Sequence, residues 1–468
     1  MPLRSKIIIL LIAVAFVFSV VNSIRDSSSQ KNKTNLQKKK KPKTNLQRVT
    51  AAEVGGVSFG TSQKNKLART QVIESSVKDE GHILCVGGSG LGKTSALLIP
   101  TLRSWTETNG TFLVWDISGD IHPKVNARNV IKYEPTNPNS TPYNVFGIVD
   151  HIKDIQKKNK ELAKLALLLL PEDPTASEAS KYYNREGRKI MTAALIAYYY
   201  QGYDFIEICE KINFLSWQNL LNEIDASKNE DAIRYINSFE GIPDQYSASA
   251  KQTCEDAITL FATDEDIKAT VRRPQEGELA LDPTRLEYNN IFIIMDDSDL
   301  ELYSTLSQII ASQCLDFISK RPLDHATPIL LCMDEAASLG QINILPALRK
   351  FRKRHCRIFM LTQSLADIDL TWGELQRKAM LTNFRYKVVL ECSEPEEQEY
   401  WSKLAGKHWV LHDSSVTHAG TKSSKTDTLT HENQIEPNDF ANLGDDLVLF
   451  YPGGFEILTK DFYFKKPS

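Results

Sequence analysis

The chain has 468 residues, 41% of them hydrophobic, 9% aromatic and 25% charged, an ordinary globular composition long enough for two or three domains, since single cores stop growing at roughly 250 to 300 residues. The net charge of −3 conceals an asymmetry: through Arg69 there are 14 Lys and Arg against Asp26 and Glu53, which puts +12 on the leader and −15 on the remainder. That balance excludes a body coated all round with basic charge and gives the leader a local electrostatic task, at anionic lipid or at nucleic acid. The seven cysteines are odd in number and form no CxxC pair, and several sit in apolar runs, so they read as buried thiols of a reducing compartment.

Ile7 to Val21 is apolar except for Ser19, with Arg4 and Lys6 before it and Arg25 and a lysine-rich tract after it. Extended to Ile24 it just reaches the length of a spanning helix. Val21 and Ser23 also fit a cleavable signal peptide, but Lys31, Lys33, Lys38 to Lys41, Lys43 and Arg48 oppose translocation. The positive-inside bias favours an uncleaved anchor over residues 1–24 with the bulk of the chain cytoplasmic, hence a single-pass membrane protein. Residues 25–70 read as a basic flexible linker: 25–50 have almost no large apolar side chains and repeat KTNLQ, so no core can be built there.

The pattern then becomes that of an open α/β domain, nucleotide-binding over 71–149. HILCV is followed by GGSGLGKT, the phosphate-loop signature G-x-x-x-x-G-K-[ST], and then by a helical run, TSALLIPTL. In Gly87, Gly88, Ser89, Gly90, Leu91, Gly92, Lys93 and Thr94, the glycines let backbone N–H groups turn in on phosphates, Lys93 meets the β/γ oxygens and Thr94 ligates Mg²⁺. The ligands called for are ATP and Mg²⁺. Further strands are expected at GTFLVWD, ending on Asp116, and at NVIKYE.

Residues 150–285 read as an all-α domain, carried by DHIKDIQKKNKELAKLALLLL, YYNREGRKIMTAALIAYYYQG, AIRYINSF and SASAKQTCEDAITLFA. Strands return over 286–468 as NIFIIMD, PILLCMDE, RIFMLTQ and YKVVLEC, which makes the helices an insertion. Asp334 and Glu335 end one of these strands, where parallel sheets bind ligands. Asp334 is placed to hold Mg²⁺ and Glu335 to polarise the attacking water. Gln363 ends the next strand as a neutral sensor of the γ-phosphate. Between them LPALRKFRKRHCR concentrates Arg349, Arg352, Lys353 and Arg354; Arg352 is the first choice for a finger into a neighbouring subunit's triphosphate, against a solvated basic face or a DNA-phosphate contact. His412 to Thr430, rich in Ser, Thr, Gly and His, reads as a mobile loop, followed by a short helix from Pro437 and two closing strands, DLVLFY and FEILTK.

Taken in order, GGSGLGKTSALLIPTL, WDISGD, PYNVFG, YYNREGRKIMTAALIAYY, MDEAASLGQINILPALRKFR, LTQSLADIDLTWGE and NFRYKVVL resemble the coupling-protein ATPases of type IV secretion and conjugation, the TraG/TraD group, over residues 81–468. The resemblance implies a RecA-like P-loop NTPase core with an inserted all-α domain and an N-terminal membrane anchor. It also implies homo-hexameric rings that bring DNA with its attached relaxase, or effector proteins, to a secretion channel at the inner membrane. In that frame Lys93 and Thr94 bind nucleotide, Asp334 and Glu335 serve magnesium and water, and Gln363 is the sensor. The chain departs from the family in offering one membrane segment rather than two, and in Ser118 where a basic residue is common. The alternative function is a secretion or conjugation ATPase that energises assembly or protein export without gripping DNA.

Overall fold

The computed structural model of the chain describes residues 45–50, 55–62, 70–172, 176–324, 327–416 and 424–464, with the backbone alone over 411–428. The expected anchor and the first part of the linker lie outside the described residues; among the described residues no helix is long and apolar enough to cross a membrane.

Six short, mostly apolar runs, largely buried on both faces, build the centre of the sheet. They are β4 (His82–Val86), β5 (Thr111–Asp116), β7 (Asn290–Ile294), β8 (Ile329–Met333), β9 (Cys356–Thr362) and β10 (Phe384–Val389). With β6 (Val130–Tyr133) they run parallel in the order β10-β4-β9-β8-β5-β7-β6. Alternation sends Leu84, Val86, Leu331 and Met333 to one face and Ile83, Cys85, Leu330 and Cys332 to the other. The second face is covered by the helix Ile99–Thr106, through Leu102 and Trp105.

The remaining strands extend the sheet beyond β10 in antiparallel fashion. They are β1 (Leu46–Val49), β2 (Gly56–Ser62), β3 (Gln71–Ser76), β13 (Asp446–Tyr451) and β14 (Gly454–Thr459), in the order β1-β3-β2-β14-β13-β10. β1 and β2 correct the reading of 25–70 as a flexible linker. β1 is held by its ladder with β3 and by Arg48, whose Nη2 donates to the two Glu456 oxygens at 2.6 and 2.9 Å.

Between β6 and β7 the described residues form helices, the longest being Ile155–Leu169, Glu178–Tyr200 and Asp244–Thr263. Ile190 to Tyr199 are buried without a break, so the middle of Glu178–Tyr200 has no solvent face and acts as the axis on which the other helices pack. Side-chain caps start several of these helices: Asp154 accepts from Lys157 N at 2.8 Å, and Asp204 forms a capping box with Glu207. The helical stretch leaves and rejoins the sheet at one place. Tyr143 N donates to Thr270 O at 2.8 Å, Arg272 N to Tyr143 O at 3.1 Å and Leu281 N to Pro142 O at 2.8 Å.

His412 to Thr430 is not a loop throughout. β11 (Lys407–Val416) and β12 (Ser424–Asn433) pair in unbroken antiparallel register, Lys407 with Asn433 through Val416 with Ser424. Strand-favouring threonines recur at 426, 428 and 430, and the Trp409 ring stacks on His431 with centroids 4.6 Å apart at the base of the hairpin. Only 417–423 of the expected loop lie outside the described residues.

Candidate nucleotide site

β4 ends at Val86, and the chain turns at once into the phosphate loop. Gly87 N donates to Thr362 O at 3.2 Å, which ties the start of the loop to the end of β9. Two glycines are required by conformation, Gly90 at φ 75° and Gly92 at φ 97°. Gly87 is required by space, because a Cβ there would stand 2.7 Å from Leu390 Cβ. Ser89 and Gly90 form the exposed tip.

After Gly92 the backbone winds as a wide π-type turn over Lys93–Leu98 before the α-helix Ile99–Thr106. Pro100 therefore sits in the first turn of that α-helix, where a missing N–H costs little, rather than deep in a longer one. Lys93 is buried and folds back over the loop, donating from Nζ to Gly87 O at 2.7 Å and Gly88 O at 3.1 Å. A cation is thus fixed among inward-turned peptide groups, as an anion cradle demands.

Asp334 follows directly on β8, and the Thr94 hydroxyl lies 3.2 Å from each of its carboxylate oxygens. Burial raises the Asp334 pKa to about 7; the Thr94 hydrogen bond and Lys93 oppose this, and the charges of Glu335 and Asp116 add to it. Glu335 stands next, in left-handed backbone at φ 59°, ψ 60°. For a residue with a Cβ such a backbone costs on the order of 1–3 kcal/mol. Burial raises its pKa also, while Lys93 and a hydrogen bond from the Gln363 side chain pull it down. Gln363 is the first residue after β9 and is exposed at the strand end.

Lys93, Thr94, Asp334, Glu335 and Gln363 are thus brought together at the carboxyl edge of three adjacent strands. Arg352 is not. It lies in the turn Phe351–Arg354 that leads into the amino end of β9, and its charge lowers the pKa of His82, the first residue of β4, below the larger effects of burial and Arg357. The length of β4, about 16 Å at 3.3 Å per residue, separates it from its own phosphate loop.

Two residues outside the sequence prediction complete the edge. Asp116, at the end of β5 beside β8, is fully buried; one oxygen accepts from Ile121 N and His122 N at 3.0 Å each, and the other has no hydrogen-bond partner. Burial raises its pKa. Glu397 is buried too, accepting from Leu365 N at 3.1 Å and Trp401 Nε1 at 3.0 Å, and it holds the turn that carries Gln363. Neither is marked as a site residue by the linear pattern, since their partners are 4 to 32 positions away. A hard divalent cation that takes one or two carboxylates and completes its shell with water and phosphate oxygens fits a donor set in which Thr94 and Asp334 would hold it.

A family model described as type IV secretory system, conjugative DNA transfer, matches residues 24–468. The chain belongs to this family. Among curated relatives it is 22% identical over 400 residues to the conjugal transfer protein TraG of Agrobacterium fabrum, covering 80% of this chain and 58% of that protein. It is 21% identical over 310 residues to the type IV secretion system-coupling protein VirD4 of Bartonella henselae, covering 63% of this chain and 48% of that one. The chain therefore spans about half to three-fifths of the length of these relatives.

Among solved structures the fold is that of the bacterial conjugative coupling protein TrwB. Its unbound form aligns with TM-score 0.67 at 18% identity over 85% of this chain and 88% of that one. The form in complex with ADP and Mg²⁺ aligns with TM-score 0.65 at 18% identity over 83% and 88%. The large mixed sheet flanked by helices is accordingly an α/β P-loop NTPase fold.

Proposed function

We propose that the chain is a membrane-anchored, ATP-driven coupling protein that recruits DNA with its attached relaxase, or protein substrates, to a type IV secretion channel and moves them. The observation that carries this reading is the convergence of Lys93, Thr94, Asp334, Glu335 and Gln363 on one sheet edge, in a member of the conjugative DNA transfer family. ATP is held by the loop from Gly87 to Thr94. Mg²⁺, when bound, neutralises charge on the β and γ oxygens. Thr94 and Asp334 position that ion, Glu335 orients water and accepts its proton, and Gln363 couples the γ-phosphate position to the helix that begins at Leu365.

The helices between β6 and β7 form the inserted all-α domain, supported by the side-by-side exit and return at Tyr143 and Leu281. Hydrolysis takes place between subunits of a homo-hexamer at the inner membrane, with the residue 1–24 segment as anchor. Arg352 stands at the sheet end opposite its own loop, the placement required of a finger that serves a neighbouring subunit.

Stimulation by nucleic acid tests the DNA arm of this reading. ATP turnover of the full chain in detergent is expected to rise on addition of single- or double-stranded DNA, and Glu335→Gln is expected to abolish both basal and stimulated rates. Turnover indifferent to both DNAs would select the assembly or export ATPase instead.

A further inference from the structure

After β14 the chain crosses the phosphate-loop helix, and four contacts fix it there. Tyr463 N donates to Ser95 O at 3.1 Å. Arg103 Nη1 donates to Tyr463 O at 3.2 Å. The Arg103 guanidinium and the Lys124 ammonium stand 5.1 and 5.6 Å from the centre of the Tyr463 ring, at cation–π range. Held this way, Phe462 abuts the loop itself: a Cβ at Gly92 would lie 3.0 Å from its ring. Phe464 packs on Phe462 with centroids 5.3 Å apart and is 62% exposed.

The direction of a triphosphate in the loop follows from the sheet order. Asp334, Glu335 and Gln363 stand at the ends of β8 and β9, on one side of β4, so the γ end points there. The α-phosphate, ribose and base must leave on the other side of β4, where β10, β13 and β14 lie and from which residues 460–464 arrive. Two aromatic rings on a latched segment thus stand where the base emerges. The fold alone does not require them, since β14 is already complete at Thr459.

We propose that Phe462 and Phe464 form the stacking wall for the purine base of the nucleoside triphosphate, an assignment that rests on the nucleotide-binding reading above. A π-face without directed hydrogen bonds accepts adenine and guanine alike and gains less from the smaller pyrimidines. Base–aromatic stacking of this kind strengthens binding by roughly tenfold to a hundredfold.

The test compares Mg²⁺-dependent binding of ATP, GTP, CTP and inorganic tripolyphosphate to the full chain by titration calorimetry. In the wild type, ATP and GTP are expected to bind at least about tenfold more tightly than tripolyphosphate, with CTP between. Phe462→Ala is expected to bring ATP down to the tripolyphosphate level while leaving tripolyphosphate within about twofold, and Phe462→Trp to restore the difference. Phe462→Leu keeps an apolar group against Gly92 without a π-face and must behave like the alanine variant, which guards against misfolding of the latter. An unchanged ratio of ATP to tripolyphosphate affinity in both Phe462→Ala and Phe462→Leu, whether both affinities fall together or neither falls, overturns the stacking wall and leaves the phosphate-loop reading standing. A wild-type chain that binds neither ligand overturns both.

Discussion

The Thr94 hydroxyl lies 3.2 Å from both carboxylate oxygens of Asp334, 240 positions further along the chain. This contact joins the helix after β4 to the end of β8 and places a cation-binding oxygen pair beside Lys93. Asp334 is nevertheless held mostly by a protein interior, and its pKa of about 7 against an ordinary 3.8 reports the cost.

That cost has a sign. A carboxyl whose folded pKa lies above its unfolded one retains its proton longer in the folded state, so the ligand-free protein loses stability as pH rises from about 4 through about 7. Asp334→Asn removes the titration. It is expected to melt a few degrees above wild type at pH 8 and level with it at pH 4, and Mg²⁺–nucleotide is expected to raise only the wild type. Wild-type affinity for Mg²⁺–nucleotide should rise between pH 6 and 8, because the ligand must be deprotonated. Thermal melts at the two pH values, with and without Mg²⁺–nucleotide, check both statements.

Glu335 combines a strained backbone with the carboxylate proposed to activate water. Glu335→Gln keeps the backbone and is expected to bind nucleotide normally while turnover falls by about 10²–10⁴-fold. Glu335→Gly relieves the left-handed strain and is expected to gain on the order of 1 kcal/mol of stability while losing turnover to the same degree. Denaturant titration beside an ATPase assay separates the two effects.

Arg352 cannot serve its own loop from the amino end of β9. Arg352→Ala is expected to lower turnover by about 10³-fold or more without weakening nucleotide binding. Mixing it with Lys93→Ala should recover part of the activity, since the proposed mixed rings would contain interfaces with one intact loop and one intact finger. Mixtures no more active than the separate variants would exclude action in trans.

Arg357 is a structural cation, 2% exposed on β9. It donates to Gly81 O at 2.9 Å and Ser75 Oγ at 2.7 Å, and burial lowers its pKa to about 10 despite the nearby Asp79. Arg357→Ala removes the donors to Gly81 O and Ser75 Oγ and leaves a large cavity in the buried sheet, and is expected to cost about 3 to 5 kcal/mol by denaturant unfolding.

The strands that carry the site were legible because each is a short apolar run closed by a functional residue: HILCV before Gly87, ILLCM before Asp334, CRIFMLT before Gln363. β1 and β2 were not. LQRV is a half-exposed edge strand and GVSFGTS carries two glycines, so neither has the run or the alternation that marks a strand, and their partners come from β3 and β14. The β11–β12 hairpin lacked a signal for a related reason: a two-stranded ribbon outside the main sheet has little to bury, so its strands show no apolar period. Asp116, Glu397 and Phe462 acquire meaning only from what folding sets beside them, namely β8, the turn after β9 and Gly92.

The central claim is that the edge formed by Lys93, Asp334 and Glu335 hydrolyses ATP. Steady-state phosphate release by the purified full chain with Mg²⁺–ATP, beside Lys93→Ala and Glu335→Gln preparations of equal folding and oligomeric state, tests it most directly. The account predicts turnover in the wild type and none above background in either variant. Wild-type release no faster than that of the two variants, in a preparation shown to be oligomeric, would contradict it.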